Sequence, residues 1–341
     1  MTINNSCAVK DFRKWIQQLP VHKTSSVFLY DDMSSQSGES LPFIYKPFNP
    51  QDQRHWYDIG LIEDFLATTD SRGKKVLDFG PGDGWPSLLL APFVQEVIGV
   101  DASPLRVTVC EENAKRLGIN NARFLHYTAG EALPFSDEAF DAVVAASSLE
   151  QCPDIPGILS ELCRILKPGG QIRISYESLQ AYKGDQENEC WLREGLNGSC
   201  GLLIYLRDIP EEKVEHFYIR LNLPYAEIVK LLCEDGGTIT LEQIMNKREE
   251  IAFHLSGVSS YTLSHPGGES WISLFKEAGF STVKGTHNAG NAAVQFMRSL
   301  PEDELAAVTL LKARETLARL APYVSFLPAP VDSHPMILAI K

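Results

Sequence analysis

Residues Val76-Leu-Asp-Phe-Gly-Pro-Gly-Asp-Gly84 run from an apolar stretch into three alternating glycines, and Trp85, Pro86 and Ser87 follow as the start of a helix. Gly80, Gly82 and Gly84 carry no Cβ, so the chain can turn tightly there and lay its backbone against a ligand beside the unpaired N–H groups of the helix. The spacing is G-x-G-x-G, not the G-x-G-x-x-G that grips a dinucleotide pyrophosphate at a helix N-terminus. Asp78, ahead of the first glycine, would repel a pyrophosphate and attract an amine or a sulfonium. Asp101 closes Val97-Ile-Gly-Val-Asp101, where a carboxylate at a strand end can accept hydrogen bonds from both hydroxyls of a ribose. A nucleoside that also carries positive charge is S-adenosylmethionine, whose chemistry is methyl transfer; the same features oppose a nicotinamide oxidoreductase.

Such a loop needs a parallel sheet to hold it. Between Lys74 and Ser178 short apolar runs alternate with helical patterns, as a sheet covered by helices on both faces requires. The runs Val76–Phe79, Val97–Val100, Arg123–Tyr127, Ala142–Ala146 and Ile172–Tyr176 read as five strands. Ser103 caps a helix that Pro104 opens and Gly118 ends, and a second helix runs from about Pro156 to Leu166 before Pro168-Gly169-Gly170 breaks it. A helix at Trp271–Ala278, a strand from Phe280, a helix over Glu302–Leu320 and a last strand at Met336–Ile340 resume the α/β pattern. Between Leu179 and Pro266 helical patterns replace the alternation, with Thr240-x-x-Gln243 as a capping box, and this part is expected to be an inserted helical lid. Met33–Ser40 reads as a loop of low complexity.

Four ordered segments together carry a resemblance. These are the glycine loop, Asp101, Gly130-Glu-Ala-Leu-Pro-Phe135 with Phe140-Asp141-Ala-Val-Val, and Leu162-Cys-Arg-Ile-Leu-Lys-Pro-Gly-Gly170. Over roughly Lys74 to Tyr176 the chain resembles the class I S-adenosylmethionine-dependent methyltransferases, in particular the group that includes ubiquinone- and menaquinone-biosynthesis enzymes. The resemblance implies a Rossmann-like fold with a mostly parallel seven-stranded sheet. It also implies S-adenosyl-L-methionine as cofactor, bound by Asp78, Gly80, Gly82, Gly84, Asp101, Ala102, Gly130, Glu131 and Ser147. Relatives carry an acidic residue where this chain has Ala129, which passes adenine recognition to the backbone near Gly130 or to Glu131. Ser147 either touches the ligand or leaves room for it. The implied organisation is an N-terminal helical cap that shapes the acceptor pocket (1–73), a cofactor domain (74–179 and 267–341) and the lid (180–266).

The acceptor is less legible. A proton-removing group would be a His, Tyr or Glu within hydrogen-bond reach, and His55, Tyr57, Tyr176 and His265 are candidates, whereas Glu150 reads as solvated. The 341 residues carry a formal charge of −13, from 31 Lys and Arg against 44 Asp and Glu, which disfavours a nucleic-acid partner. A small-molecule acceptor is the leading expectation, with a non-catalytic cofactor-binding protein and a methyltransferase acting on protein as alternatives. The eight histidines form no HxxxH or HxxH pair and the seven cysteines form no CxxC pair, so no metal site is expected. Free thiols, no apolar leader and no membrane-length apolar run lead to the expectation of a cytoplasmic protein. Homo-oligomerisation is left open.

Overall fold

The computed structural model describes residues 2–23, 47–179, 188–194, 200–232 and 239–341; Met33–Ser40 lies outside them. The chain forms two compact units, one of residues 29–177 with 267–341 and the other of 1–28 with 178–266. The short strand β1 (Val21–Lys23) belongs to the second.

In the larger unit β2 (Lys75–Phe79), β3 (Glu96–Asp101), β4 (Ala122–His126), β5 (Phe140–Ala146) and β6 (Leu166–Ser175) are parallel neighbours. With β11 (Thr282–Thr286) and β12 (Met336–Ile340) they form a seven-stranded sheet in the order β11-β12-β6-β5-β2-β3-β4, in which β12 runs antiparallel to both its neighbours. Val76, Leu77, Val97, Val144, Ile172 and Ile174 are fully buried because helices cover both faces, which explains why these strands read as continuous apolar runs. From β2 the chain builds outward through β3 and β4, then returns to place β5 on the other side of β2. A crevice opens at such a reversal, beyond the carboxyl ends of the strands.

The crossover helices begin and end where their sequence signals lie. Ser103 caps Pro104–Leu117, its hydroxyl accepting from the Arg106 N–H, and Gly118 takes φ +69° to end it. Asp154 caps Ile155–Ile165, which buries Ile158, Leu159, Leu162 and Ile165. A third helix, Gln53–Thr68, lies ahead of the sheet and carries Asp64, whose carboxylate holds the fully buried Arg173 of β6 at 2.7 and 3.1 Å. Arg173 also donates to the Thr286 hydroxyl (2.5 Å) and the His287 carbonyl (2.9 Å), while Asp64 accepts from the Ala289 N–H (2.9 Å) and the Ser325 hydroxyl. One ion pair thus fastens that helix, the sheet and the C-terminal segment together.

Toward the C-terminus the expected single helix is two, Glu302–Ala306 and Leu310–Val324, because Thr309 opens the second by accepting from the Lys312 N–H. Ala289–Ser299, capped by Asn288, is a further helix that the sequence reading did not separate.

The smaller unit corrects the expectation of a helical lid. Its body is a sheet in the order β1-β10-β9-β8-β7, where β7 (Asn188–Glu194), β8 (Cys200–Asp208), β9 (Lys213–Leu221) and β10 (Leu255–Ser264) are antiparallel and β1 is parallel to β10. Leu202, Ile204 and Leu206 of β8 and Phe217, Ile219 and Leu221 of β9 share one core with Phe12, Ile228 and Ile244, so the governing period is two residues rather than 3.6. Cys190 and Cys200 are free thiols in the same core. The capping box is present at Leu241–Asn246, with Gln243 N–H to Thr240 Oγ1 at 3.2 Å and Thr240 N–H to Gln243 Oε1 at 2.8 Å, but the helices it begins are short. Of the first 73 residues, the described ones up to 23 group with this sheet and those from 47 on with the larger unit. Among the described residues no helix is long and apolar enough to cross a membrane.

Candidate active site

The glycine loop leaves β2 and crosses the crevice. Its three glycines sit at φ +71°, +57° and +108°, in the left-handed region where a Cβ is penalised. Each has its own reason. A Cβ on Gly80 would strike Ser148, whose hydroxyl donates to the Phe79 carbonyl at 2.5 Å, and one on Gly84 would come 2.5 Å from the Leu88 side chain. Gly82 is different: a Cβ there would meet nothing within 4 Å, so this part of the loop faces open space.

A cavity of about 360 Å³ occupies that space, within the range of roughly 300–1,000 Å³ usual for small-molecule sites. Gly80, Gly82 and Trp85 line it from the loop, Asp101 and Ala102 from the end of β3, and Ser147 from the end of β5. Asp101 is 4% exposed, with Oδ1 accepting from the Ser103 N–H at 2.8 Å and Oδ2 from the Gly82 N–H at 3.3 Å. Burial raises its pKa, opposed by those two amides. Ser147 holds φ +51° and donates its N–H to the Ser175 carbonyl at 3.0 Å, a backbone strain placed at the cavity rim. These residues suit an adenosine-bearing ligand: a carboxylate in the wall for a ribose diol and a Cβ-free backbone for close approach.

Asp78 is not part of the wall. It is fully buried beneath the loop, where Oδ2 accepts from the Ser87 N–H at 3.1 Å and the Ser87 hydroxyl at 2.5 Å. Burial pushes its carboxyl up to about 7, against the pull of the Ser87 bonds and with the Asp101 charge adding to the rise. Its observed contacts tie the loop to the helix start. Gly130 and Glu131 are exposed in the turn after β4 and lie outside the lining.

The proton-removal candidates lie outside the wall too. His55 is 4% exposed and its Nδ1 accepts from the Asn49 N–H at 2.7 Å, the place of a capping residue. Tyr57 is half-buried against Gly290, and burial raises its pKa. Tyr176 packs its ring on Trp271 at 5.8 Å between centroids. His265 belongs to the smaller unit, where its N–H donates to the Glu212 carbonyl at 2.7 Å. None of the four joins the cavity residues.

Other wall residues escaped the sequence reading. Tyr127 follows β4, donates its N–H to the Asp101 carbonyl at 3.1 Å and rests on Phe79 at 5.5 Å. Arg106 pairs with Asp83 across the loop, and both line the cavity. Arg106 had a signal, since a basic residue in the first turn opposes the helix dipole and implies a partner. Gln151 and Cys152 complete that side; burial pushes the Cys152 thiol up to about 12.

Glu150, expected in solvent, is fully buried. Its Oε1 accepts from the Glu177 N–H at 2.8 Å, while Oε2 has no partner among the described residues. Burial pushes the carboxyl up to about 7, helped by the Glu177 charge and opposed by the amides it accepts from. The folded chain therefore holds this proton more tightly than the unfolded one, so the stabilising contribution is full below about pH 4.5 and is lost as pH rises through about 7. Glu150→Gln is expected to flatten the fall in urea-unfolding stability between pH 5 and 8 by about 3 kcal/mol; a pH profile parallel to the parent's would refute the assignment.

Residues 77–174 match the protein family described as Methyltransferase domain. The uncharacterised methyltransferase YcgJ of Bacillus subtilis is 37% identical over 115 residues, covering 33% of this chain and 44% of that protein. The 2-phytyl-1,4-naphtoquinone methyltransferase of Synechococcus elongatus is 38% identical over 107 residues, 30% of this chain and 45% of that protein. The chain thus spans under half the length of these curated relatives. The crystal structure of the YcgJ protein aligns with a TM-score of 0.37 at 20% identity, over 84% of this chain and 98% of that one. Residues 77–174 thus match a methyltransferase domain, and these relatives are methyltransferases.

Proposed function

We propose that this protein transfers the methyl group of S-adenosylmethionine to a small-molecule acceptor by in-line displacement. The observation that carries the reading is the cavity at the sheet's reversal point, where the Asp101 carboxylate and the open side of Gly82 share one wall. When bound, the cofactor supplies an electrophilic methyl carbon on a sulfonium sulfur.

The chain's own residues do the positioning. Asp101 fixes the ribose, the Arg106–Asp83 pair holds the loop from one side, and Ser148 holds it from below through the Phe79 carbonyl. Alignment of a nucleophile at about 3–3.5 Å accounts for much of the acceleration in such displacements. Among the described wall residues the Cys152 thiol, at about 12, stays protonated and is no base. The arrangement suits an acceptor whose nucleophilic atom carries no proton in the attacking form, or one that loses its proton after the bond has formed.

Production of S-adenosylhomocysteine is the test, measured with S-adenosylmethionine and a panel of small acceptors: naphthoquinols, hydroxyarenes, tertiary amines and thiols. Acceptor-dependent turnover with one of them is expected. Cofactor binding without turnover on the whole panel, together with methylation of polypeptides in an extract, would replace the small molecule by a protein substrate.

A further inference from the structure

We propose that the outer face of the helix Leu310–Val324 is a self-association surface, on which a second copy of this chain packs the same helix antiparallel across a two-fold axis. Ala313, Leu317 and Ala321, four residues apart, are buried and seat the helix on the larger unit. The ridge on the opposite side runs Leu311, Glu315, Arg319, Tyr323, again four apart, and all four are exposed. Single exposed apolar residues are ordinary on a protein surface, but their placement here is not. Leu311, 69% exposed, and Tyr323, 77% exposed, stand at the two ends of one ridge with an acid and a base between them. Among the described residues the Glu315 and Arg319 side chains have no ion-pair or hydrogen-bond partner. Two more exposed apolar residues, Phe326 and Leu327, follow directly beyond the helix.

A two-fold interface brings residue i to residue j and j to i, so the surface must complement itself. Read end for end, this ridge runs apolar, base, acid, apolar. Laid antiparallel on its copy, it sets Leu311 against the partner's Tyr323 and Glu315 against the partner's Arg319, and each contact is made twice. Laid parallel, it would set acid on acid and base on base. A seat for the partner's ridge is present. Beside the ridge lies a groove of about 330 Å³, with Glu315, Arg319 and Tyr323 on one side and the adjoining ridge of Lys312, Thr316 and Leu320 on the other; Phe296 completes the lining. Ridges of this spacing are inclined about −26° to the helix axis, so two helices that interlock them cross at about −50° with the ridges side by side.

Sedimentation equilibrium of the full chain is expected to show a monomer–dimer equilibrium at micromolar concentrations. Glu315→Arg and Arg319→Glu each place like charges face to face at two symmetric points, and each should weaken the dimer at least about 10-fold. Mixed one to one, the two variants should form a heterodimer at close to the parent's affinity, because a chain with two bases at these positions then meets a chain with two acids. The double variant Glu315→Arg with Arg319→Glu should pair with itself in the same way. A parent chain that stays monomeric, single reversals that leave the dimer intact, or an assembly that grows beyond two copies overturns the proposal. Reversals that weaken the dimer without rescue in the mixture or in the double variant overturn the antiparallel pairing. Both positions are exposed, so circular dichroism and the urea midpoint should match the parent's; if a reversal unfolds the chain, Leu311→Ser is measured in its place and must weaken the dimer by about 10-fold.

Discussion

Asp101→Ala is expected to weaken S-adenosylhomocysteine binding by about 30- to 1,000-fold, or about 2–4 kcal/mol. The carboxylate closes β3 inside the cavity wall, where a ribose diol would add two charge-assisted hydrogen bonds to those it already accepts from Ser103 and Gly82. Its removal also frees the Gly82 amide, so the loop loses one of its ties to β3. Asp101→Asn, which keeps one acceptor oxygen, should fall between the parent and the alanine variant. Calorimetric titration decides it, and an alanine variant that binds within about threefold of the parent would take Asp101 out of the site.

The largest effect on stability is expected at Arg173→Met. Asp64 and Arg173 are both fully buried, and without the guanidinium the Asp64 carboxylate keeps only the Ala289 amide and the Ser325 hydroxyl. Breaking a buried pair from one side costs about 3–5 kcal/mol, because the remaining charge is left in a medium that solvates it poorly. The Thr286 hydroxyl and His287 carbonyl lose their partner at the same time. The urea midpoint should drop accordingly, and Asp64→Leu combined with Arg173→Met should recover part of the loss. A single variant as stable as its parent would show that the pair does not join the helix to the sheet.

The two sites differ in how well they could be read beforehand. The glycine loop and Asp101 are local: glycines at fixed intervals after an apolar strand, and an acid ending the next strand, announce a ligand edge whatever surrounds them. Asp78 looked equally exposed to ligand in one dimension, but Ser87, nine positions further on, draws it beneath the loop. Glu150 gave no sign of burial, because the amide that binds it comes from Glu177, 27 residues away. His55, Tyr57, Tyr176 and His265 combined a suitable residue type with a place in the N-terminal segment, at the end of the fifth strand or before the resumed α/β pattern, and neither says where a side chain ends up. The inserted segment misled for another reason. The alternation of Leu202, Ile204 and Leu206 is broken up by Leu203 and Tyr205, apolar residues on the opposite face, and a strand with apolar residues on both faces is not told from a helix by periodicity.

By itself the sequence determined the parallel sheet, the caps at Ser103 and Thr240, and the glycine loop, since each depends on neighbours within a few positions and on backbone freedom. The tertiary structure alone decided which polar groups meet: Asp78 with Ser87, Arg106 with Asp83, and Arg173 with Asp64. The Arg106–Asp83 and Arg173–Asp64 pairs join residues far apart in the chain, so no short stretch of sequence contains them, whereas Asp78 and Ser87 lie only nine positions apart and meet because the loop between them folds over the carboxylate.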